Sequence, residues 1–150
     1  MNRRPLSVLA VLMTVLAVSA GPVAARDEQA MWPLQDALNV PEAKEKLNPD
    51  IKLYFGNQKH SAVVKDFGEW KTNKKTNAFG KSDKEACEWV FLSAVLELQE
   101  RAVKEGGNAI IDIKSNYKNN ERSSEIEYMC GSGAVVSGVA LKGRVVTLGK

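Results

Sequence analysis

Hydrophobic positions repeat with helical spacing in one long segment of the chain, which is predicted to be a helix from Asp83 to Glu105. Ser82-Asp83-Lys84-Glu85 has the capping-box pattern at its start, and Gly106-Gly107 can end it in the left-handed conformation. The apolar positions form two faces, so we expect a sheet to cover one face and N-terminal helices or another subunit to cover the second. The first face comprises Cys87, Phe91, Ala94, Leu98 and Ala102, with Val95 at its flank, and the second comprises Trp89, Leu92, Leu96 and Val103.

Alternation of apolar and polar residues predicts strands on both sides of this helix. Before it, residues 51–55 and 62–67 are expected to pair as a hairpin. After it, a strand is predicted at residues 108–117, with Ala109, Ile111 and Ile113 on one face and Ile110 and Asp112 on the other. Further strands are predicted at residues 124–130, 134–141 and 144–148, with breaks at Gly131-Ser132-Gly133 and at Lys142-Gly143.

The remaining segments complete the predicted element order. Residues 26–49 are predicted to form one or two short helices, and the lysine-rich residues 71–81 are predicted to be a loop. The order helix(es)-β-β-α-β-β-β, with a fourth final strand if residues 134–141 and 144–148 are separate, favours an α+β domain, in which one long helix packs on a mostly antiparallel sheet. We expect a single domain over residues 26–150, with its core at about residues 50–148.

The first 25 residues have the parts of a secretory signal peptide. Arg3 and Arg4 precede an apolar stretch from Leu6 to Ala20, and a run of small residues ends at Ala25. A transmembrane anchor is the alternative, but the stretch is short for a bilayer core and Gly21-Pro22 interrupts it. We therefore expect cleavage near Ala25 and a periplasmic or secreted protein.

Export makes a disulfide the expected state of the two cysteines, Cys87 and Cys130. The pair encloses 44 residues, counting both ends, which is unlike the close spacing of redox-active pairs. A free pair or an intermolecular bridge is the alternative.

Composition excludes several classes of function. The 21 basic and 18 acidic residues give a formal charge of +3, and loss of Arg3 and Arg4 reduces it to +1. Such a balance argues against a protein that coats nucleic acid through its overall charge. A single histidine and two cysteines leave no ligand set for a metal, and no glycine-rich pattern for a nucleotide cofactor is present.

The chain offers few groups for catalysis. His60 is the single imidazole and is expected in an exposed turn, next to Ser61. Glu125 and Glu127 share a strand face, where alternating acids usually form the wet side of a sheet. A small hydrolase using His60 and one of these acids is the catalytic alternative to a non-catalytic protein.

One cluster of charged residues could bind a ligand. Five lysines within 14 residues, with Trp70 just before them and Phe79 among them, lead into the N-terminus of the long helix, where free amides attract anions. This predicts contact with a phosphate- or carboxylate-rich envelope component, and the alternative is a solvated loop. The five candidates are Lys71, Lys74, Lys75, Lys81 and Lys84.

Four runs of sequence resemble a family of small exported proteobacterial proteins that often carry the label "excinuclease ATPase subunit". They are residues 75–87, 91–102, 106–117 and 130–143. Gly80-Lys81-Ser82 matches only the end of a phosphate-binding loop, so ATPase activity is not expected.

The order of helix, Gly106-Gly-Asn-Ala-Ile-Ile111 and strand is more distantly similar to YbjQ-type and RcsF-type α+β domains. RcsF is an outer-membrane lipoprotein that senses envelope stress, and YbjQ-type domains have been called heavy-metal binders that form rings. The resemblance implies a non-catalytic envelope binding or stress-sensing module, with a protein partner or a homo-oligomer as its assembly.

Overall fold

The computed structural model describes Gly21 and residues 26–150, so the predicted signal peptide lies outside the described residues apart from Gly21. The described chain is an α+β domain with one long helix and a mostly antiparallel seven-stranded sheet, which confirms the predicted fold class. No described helix combines the length and the apolar character needed to cross a bilayer. The elements are β1 (Glu28–Pro33), α1 (Leu34–Asn39), α2 (Pro41–Lys46), β2 (Lys52–Phe55), β3 (Val63–Asn77), α3 (Asp83–Glu105), β4 (Ala109–Tyr117), β5 (Asn120–Arg122), β6 (Glu127–Ser132) and β7 (Val136–Leu148).

The sheet is organised around β7, which pairs antiparallel with β3, β4 and β6. The strand order is β1-β6-β7-β4-β2, with β3 added to β7 and β5 added to β4. The hairpin predicted between residues 51–55 and 62–67 is wrong, because β2 pairs in parallel with β4 and β3 pairs with β7. Alternation reveals a strand but not its partner, and here both partners come from the far side of the long helix.

The N-terminal segment is partly a strand. The predicted helices are present as α1 and α2, with Pro41 in the first turn of α2. Before them, β1 pairs with β6, which places Met31 opposite Met129 and Trp32 opposite Tyr128. The prediction of a helix from the spacing of apolar residues is therefore wrong for residues 28–33, which form β1.

Three strands extend through residues that were predicted to interrupt them. β3 continues to Asn77 through most of the predicted lysine-rich loop, because its backbone pairs with β7 along this length. β7 is continuous through Lys142 and Gly143, which pair with Lys71 and Trp70. The predicted break at Gly131-Ser132 likewise belongs to β6.

The bounds of α3 agree with the prediction. The Ser82 hydroxyl accepts a hydrogen bond from the Glu85 amide at 3.1 Å. Gly106 has a φ of 84°, and its amide donates to carbonyl groups of the last turn.

The first apolar face of α3 forms the core against the sheet, as expected. Phe91 is 1% exposed, and its ring lies 4.2 Å from that of Tyr128 and 6.0 Å from that of Phe55. The second face is covered only in part, because Leu92 is buried while Trp89 and Val103 are 46% and 56% exposed.

A bulge in β4 changes which side chains face the helix. Asp112 has a φ of 50°, and the pairing of β4 with β7 shifts register between Ile111 and Lys114. As a result Ile110 and Ile113 both join the core under α3, while Ala109 and Ile111 pack in a separate small cluster. The predicted grouping of Ile113 with Ala109 and Ile111 is therefore wrong.

The predicted disulfide between Cys87 of α3 and Cys130 of β6 is present, with a Cα–Cα distance of 5.9 Å. Both residues are fully buried. The bond fixes the first turns of α3 to the sheet.

Candidate functional site: the cleft between β3 and α3

The five candidate lysines do not form one loop. Lys71, Lys74 and Lys75 lie on β3, whereas Lys81 precedes α3 and Lys84 is in its first turn. The alternation of β3 separates Lys74, which faces α3, from Lys71 and Lys75, which point to the opposite face of the sheet.

The lysines near the start of α3 already have protein partners. Lys84 Nζ lies 2.7 Å from a carboxylate oxygen of Asp36 and 3.7 Å from one of Glu88. Lys81 Nζ donates to the Asn77 carbonyl at 3.1 Å. The helix start also carries the acidic side chains Asp83 and Glu85, which compete with an anionic ligand for its dipole. This end of the helix is therefore not an open anion site of the kind the sequence suggested.

A different site lies between strand β3 and helix α3, and we call it the β3–α3 cleft. It has a volume of about 300 Å³. Strand β3 supplies one wall and the second half of α3 supplies the other. The lining residues are Trp70, Lys71, Thr72, Glu97, Leu98, Glu100, Arg101 and Lys104.

Three residues of this cleft carry buried polar atoms that lack hydrogen-bond partners among the described residues. They are the Trp70 indole Nε1, the hydroxyl oxygen of Thr72 and the carboxylate oxygen Oε2 of Glu97, and Thr72 as a whole is 5% exposed. A buried polar group without a partner costs roughly 1–3 kcal/mol, so such groups usually meet water or a ligand. The indole N–H can only donate, and the hydroxyl can donate as well, so the pair suits a ligand with acceptor oxygens.

Arg101 and Lys104 line the same cleft together with Glu97 and Glu100. The Arg101 guanidinium stacks on the Trp70 ring at 3.9 Å, which holds both side chains in place, and Arg101 also pairs with Glu105 at 3.1 Å. Glu97 Oε2 is buried 2.7 Å from Lys74 Nζ, close enough for an ion pair although the two atoms are not aligned for a hydrogen bond. The negative charge of Glu97 is thus balanced within the protein.

Sequence reasoning missed the helix half of this site. Glu97, Arg101 and Lys104 follow one another at intervals of four and three residues, which places them on one side of a helix. That spacing indicates a common helix face, but it predicts a cleft only if the segment opposite, residues 70–74, is a strand. Because residues 71–81 were predicted to be a loop, no strand was expected to face these side chains.

The opposite face of the sheet holds a network of ion pairs around Glu121. Lys142 Nζ contacts Glu121 and lies 3.4 Å from Glu69, while Lys114 Nζ is 3.8 Å from Glu121. The hydrogen bond from Lys142 is the main reason that the pKa of Glu121 lies below its ordinary value. A carboxylate with a depressed pKa stabilises the fold at neutral pH, and this contribution disappears as the pH falls through the pKa of the folded state.

We therefore expect Glu121→Gln to reduce the loss of stability in acid. Between about pH 5 and pH 3 the wild-type protein should lose more of its free energy of unfolding than the variant does, because only the wild type must protonate Glu121. Urea denaturation at several pH values measures this difference. Glu125→Gln, at an exposed residue before β6, is the control and should follow the wild type. Parallel curves for wild type and Glu121→Gln would contradict the assignment.

His60 lies in the exposed segment between β2 and β3, as expected. Its ring packs edge-on against Tyr54, and Nδ1 lies 2.8 Å from the Ser61 carbonyl oxygen. The Ser61 hydroxyl donates to the Gly149 carbonyl at 2.7 Å. The acid that shares a shallow depression with His60 is Asp112, which is paired with Lys114 at 3.0 Å.

The two acids that the sequence suggested as partners of His60, Glu125 and Glu127, make contacts with other residues. The Glu125 carbonyl accepts a hydrogen bond from Gln58 Nε2, and Glu127 pairs with Pro33 at the start of β6. Among the described residues, no group of three or more histidine, cysteine or carboxylate side chains is arranged to hold a metal ion.

Comparisons of the chain with protein-family models, with curated proteins and with solved structures found no match.

Proposed function

We propose that this protein is a non-catalytic binding module of the cell envelope and that it takes an anionic ligand in the β3–α3 cleft. The N-terminal pattern of basic, apolar and small residues supports export, and the buried disulfide is compatible with an oxidising compartment. The distant resemblance of residues 106–111 to RcsF-type domains implies an envelope binding or sensing module as well.

One observation carries the proposal: Trp70 Nε1 and the Thr72 hydroxyl are unpartnered in a cleft that Arg101 and Lys104 line together with Glu97 and Glu100. Both atoms can donate to an acceptor oxygen, and Arg101 and Lys104 supply positive charge beside them. A carboxylate has two acceptor oxygens, so it could accept from both donors. Hydrogen bonds to a charged group contribute about 1.5–3 kcal/mol each.

The test uses residues 26–150 with an ¹⁵N label and N-acetylglutamate as the probe. We expect the probe to shift the indole N–H resonance of Trp70, and Thr72→Val to weaken binding about tenfold or more, because one donor is lost. Trp89→Phe, on the other face of α3, is the matched control and should bind as the wild type does.

Two results would overturn the proposal. One is an unmoved Trp70 indole resonance at millimolar probe, and the other is an equal affinity of Thr72→Val and wild type.

Fractionation of cells that express the full chain tests the location, with a mature N-terminus near Arg26 in the periplasmic fraction as the expected result.

A further inference from the structure

Strand β3 has a free edge next to the cleft. Among the described residues β7 is the only strand that pairs with β3, and α3 lies over both strands. From Glu69 to Asn77 the pairing with β7 is regular, without a shift of register. This part of β3 is a regularly paired edge strand of nine residues.

The hydrogen bond from the Ala78 amide to the Val135 carbonyl, 2.7 Å long, shows which backbone groups are free. This bond continues the register of β3 with β7, so the even-numbered residues of this part of β3 direct their N–H and C=O groups to β7. The odd-numbered residues Lys71, Asn73 and Lys75 direct theirs away from β7, to the free edge. An added strand could form main-chain hydrogen bonds with these three residues.

The charge of this edge selects against a second copy of the chain. Residues 70–77 contain three lysines and no acidic residue, so two copies paired through this edge would bring six lysines together. Lysines on an edge strand are a known device against self-association. The same lysines favour an acidic partner, since five cations and four carboxylates surround the edge and the cleft. They are Lys71, Lys74, Lys75, Arg101 and Lys104 against Glu69, Glu97, Glu100 and Glu105.

We propose, on the basis of the function proposed above, that the ligand is an extended acidic segment of another protein that adds to the free edge of β3 as a strand. Main-chain hydrogen bonds to Lys71, Asn73 and Lys75 give such a complex its affinity, and the cleft gives it specificity. Side chains of an added strand alternate between the two faces of the sheet.

Each face offers partners for acidic side chains of the added strand. On the side of α3, a carboxylate enters the cleft and accepts from Trp70 Nε1 and the Thr72 hydroxyl, beside Arg101. On the opposite face, acidic side chains lie next to Lys71 and Lys75, both of which are exposed.

The experiment uses a blocked nine-residue peptide of alternating glutamate and valine, and the same peptide with lysine in place of glutamate. We expect the acidic peptide to shift the Trp70 indole resonance and to slow hydrogen exchange of the Lys71, Asn73 and Lys75 amides at least tenfold. The lysine peptide should do neither, because it meets like charges along the edge.

Asn73→Pro and Asn73→Ala form a matched pair of variants. Proline removes an outward N–H and leaves the ladder with β7 intact, so it should weaken binding of the acidic peptide at least tenfold. Alanine keeps the N–H and should stay within twofold of the wild type. Binding of N-acetylglutamate by Asn73→Pro shows that the variant is folded, and amide exchange in the wild type decides the question if it is not.

The outcomes separate this inference from the proposed function. If N-acetylglutamate and the peptide both shift the Trp70 indole but the three amides exchange at their free rates, the cleft binds anions and strand addition is wrong. Equal binding of the lysine peptide overturns the acidic partner. If neither probe shifts the indole, the inference and the proposed function both fail.

Discussion

Reduction of the Cys87–Cys130 disulfide is expected to lower the free energy of unfolding by about 4 kcal/mol. The bond closes a loop of 44 residues, and the chain-entropy model assigns roughly that loss to opening such a loop. Both sulfur atoms are buried between α3 and β6, so reduction also frees the first turns of the helix from the sheet. Urea denaturation with and without a phosphine reductant measures the difference.

The double variant Cys87→Ala/Cys130→Ala is the control for this experiment. It should resemble the reduced wild type in stability and should not respond to the reductant. A thiol assay must show that the wild type is fully reduced. If its unfolding midpoint is then unchanged, the disulfide does not stabilise the fold in the way described.

Phe91→Ala is expected to destabilise the protein by about 3–5 kcal/mol, as truncation of a fully buried aromatic side chain usually does. Phe91 is 1% exposed and its ring contacts Tyr128 and Phe55, so the variant leaves a cavity where α3 meets the sheet. Removal of the Tyr128 contact also forfeits an aromatic pair. Thermal and urea unfolding of the purified variant give the change.

Phe79→Ala is the matched control for Phe91→Ala because Phe79 is 75% exposed. Its free energy of unfolding should stay within about 0.5 kcal/mol of the wild type. A loss below 1 kcal/mol in Phe91→Ala would contradict the central place of this side chain in the core.

Local signals in the sequence were sufficient for the helix and the disulfide. The hydroxyl of Ser82 and the freedom of Gly106 act within a few residues, so the bounds of α3 could be predicted without knowledge of its neighbours. Cys87 and Cys130 could be paired because the chain has no other cysteine and an export pattern precedes them.

The partners of the strands could not be read in the same way. Residues 71–77 look like a polar loop, and they form a strand because β7 supplies backbone partners from about 65 residues further along the chain. The bulge at Asp112 depends on the fit of β4 between β2 and β7, so the alternation of the sequence placed Ile113 on the wrong face. The cleft was missed for the same reason, since it exists only where β3 and α3 meet.

The position of β7 in chain order has a consequence for how the molecule assembles. Every other strand of the described residues joins the sheet through β7 or through a strand that pairs with it, and residues 136–148 are synthesised after all of them. A nascent chain that still lacks this segment has no template on which β3, β4 and β6 can meet. Assembly of the sheet therefore waits for β7, and contacts between such distant residues make folding slow compared with that of a helical bundle.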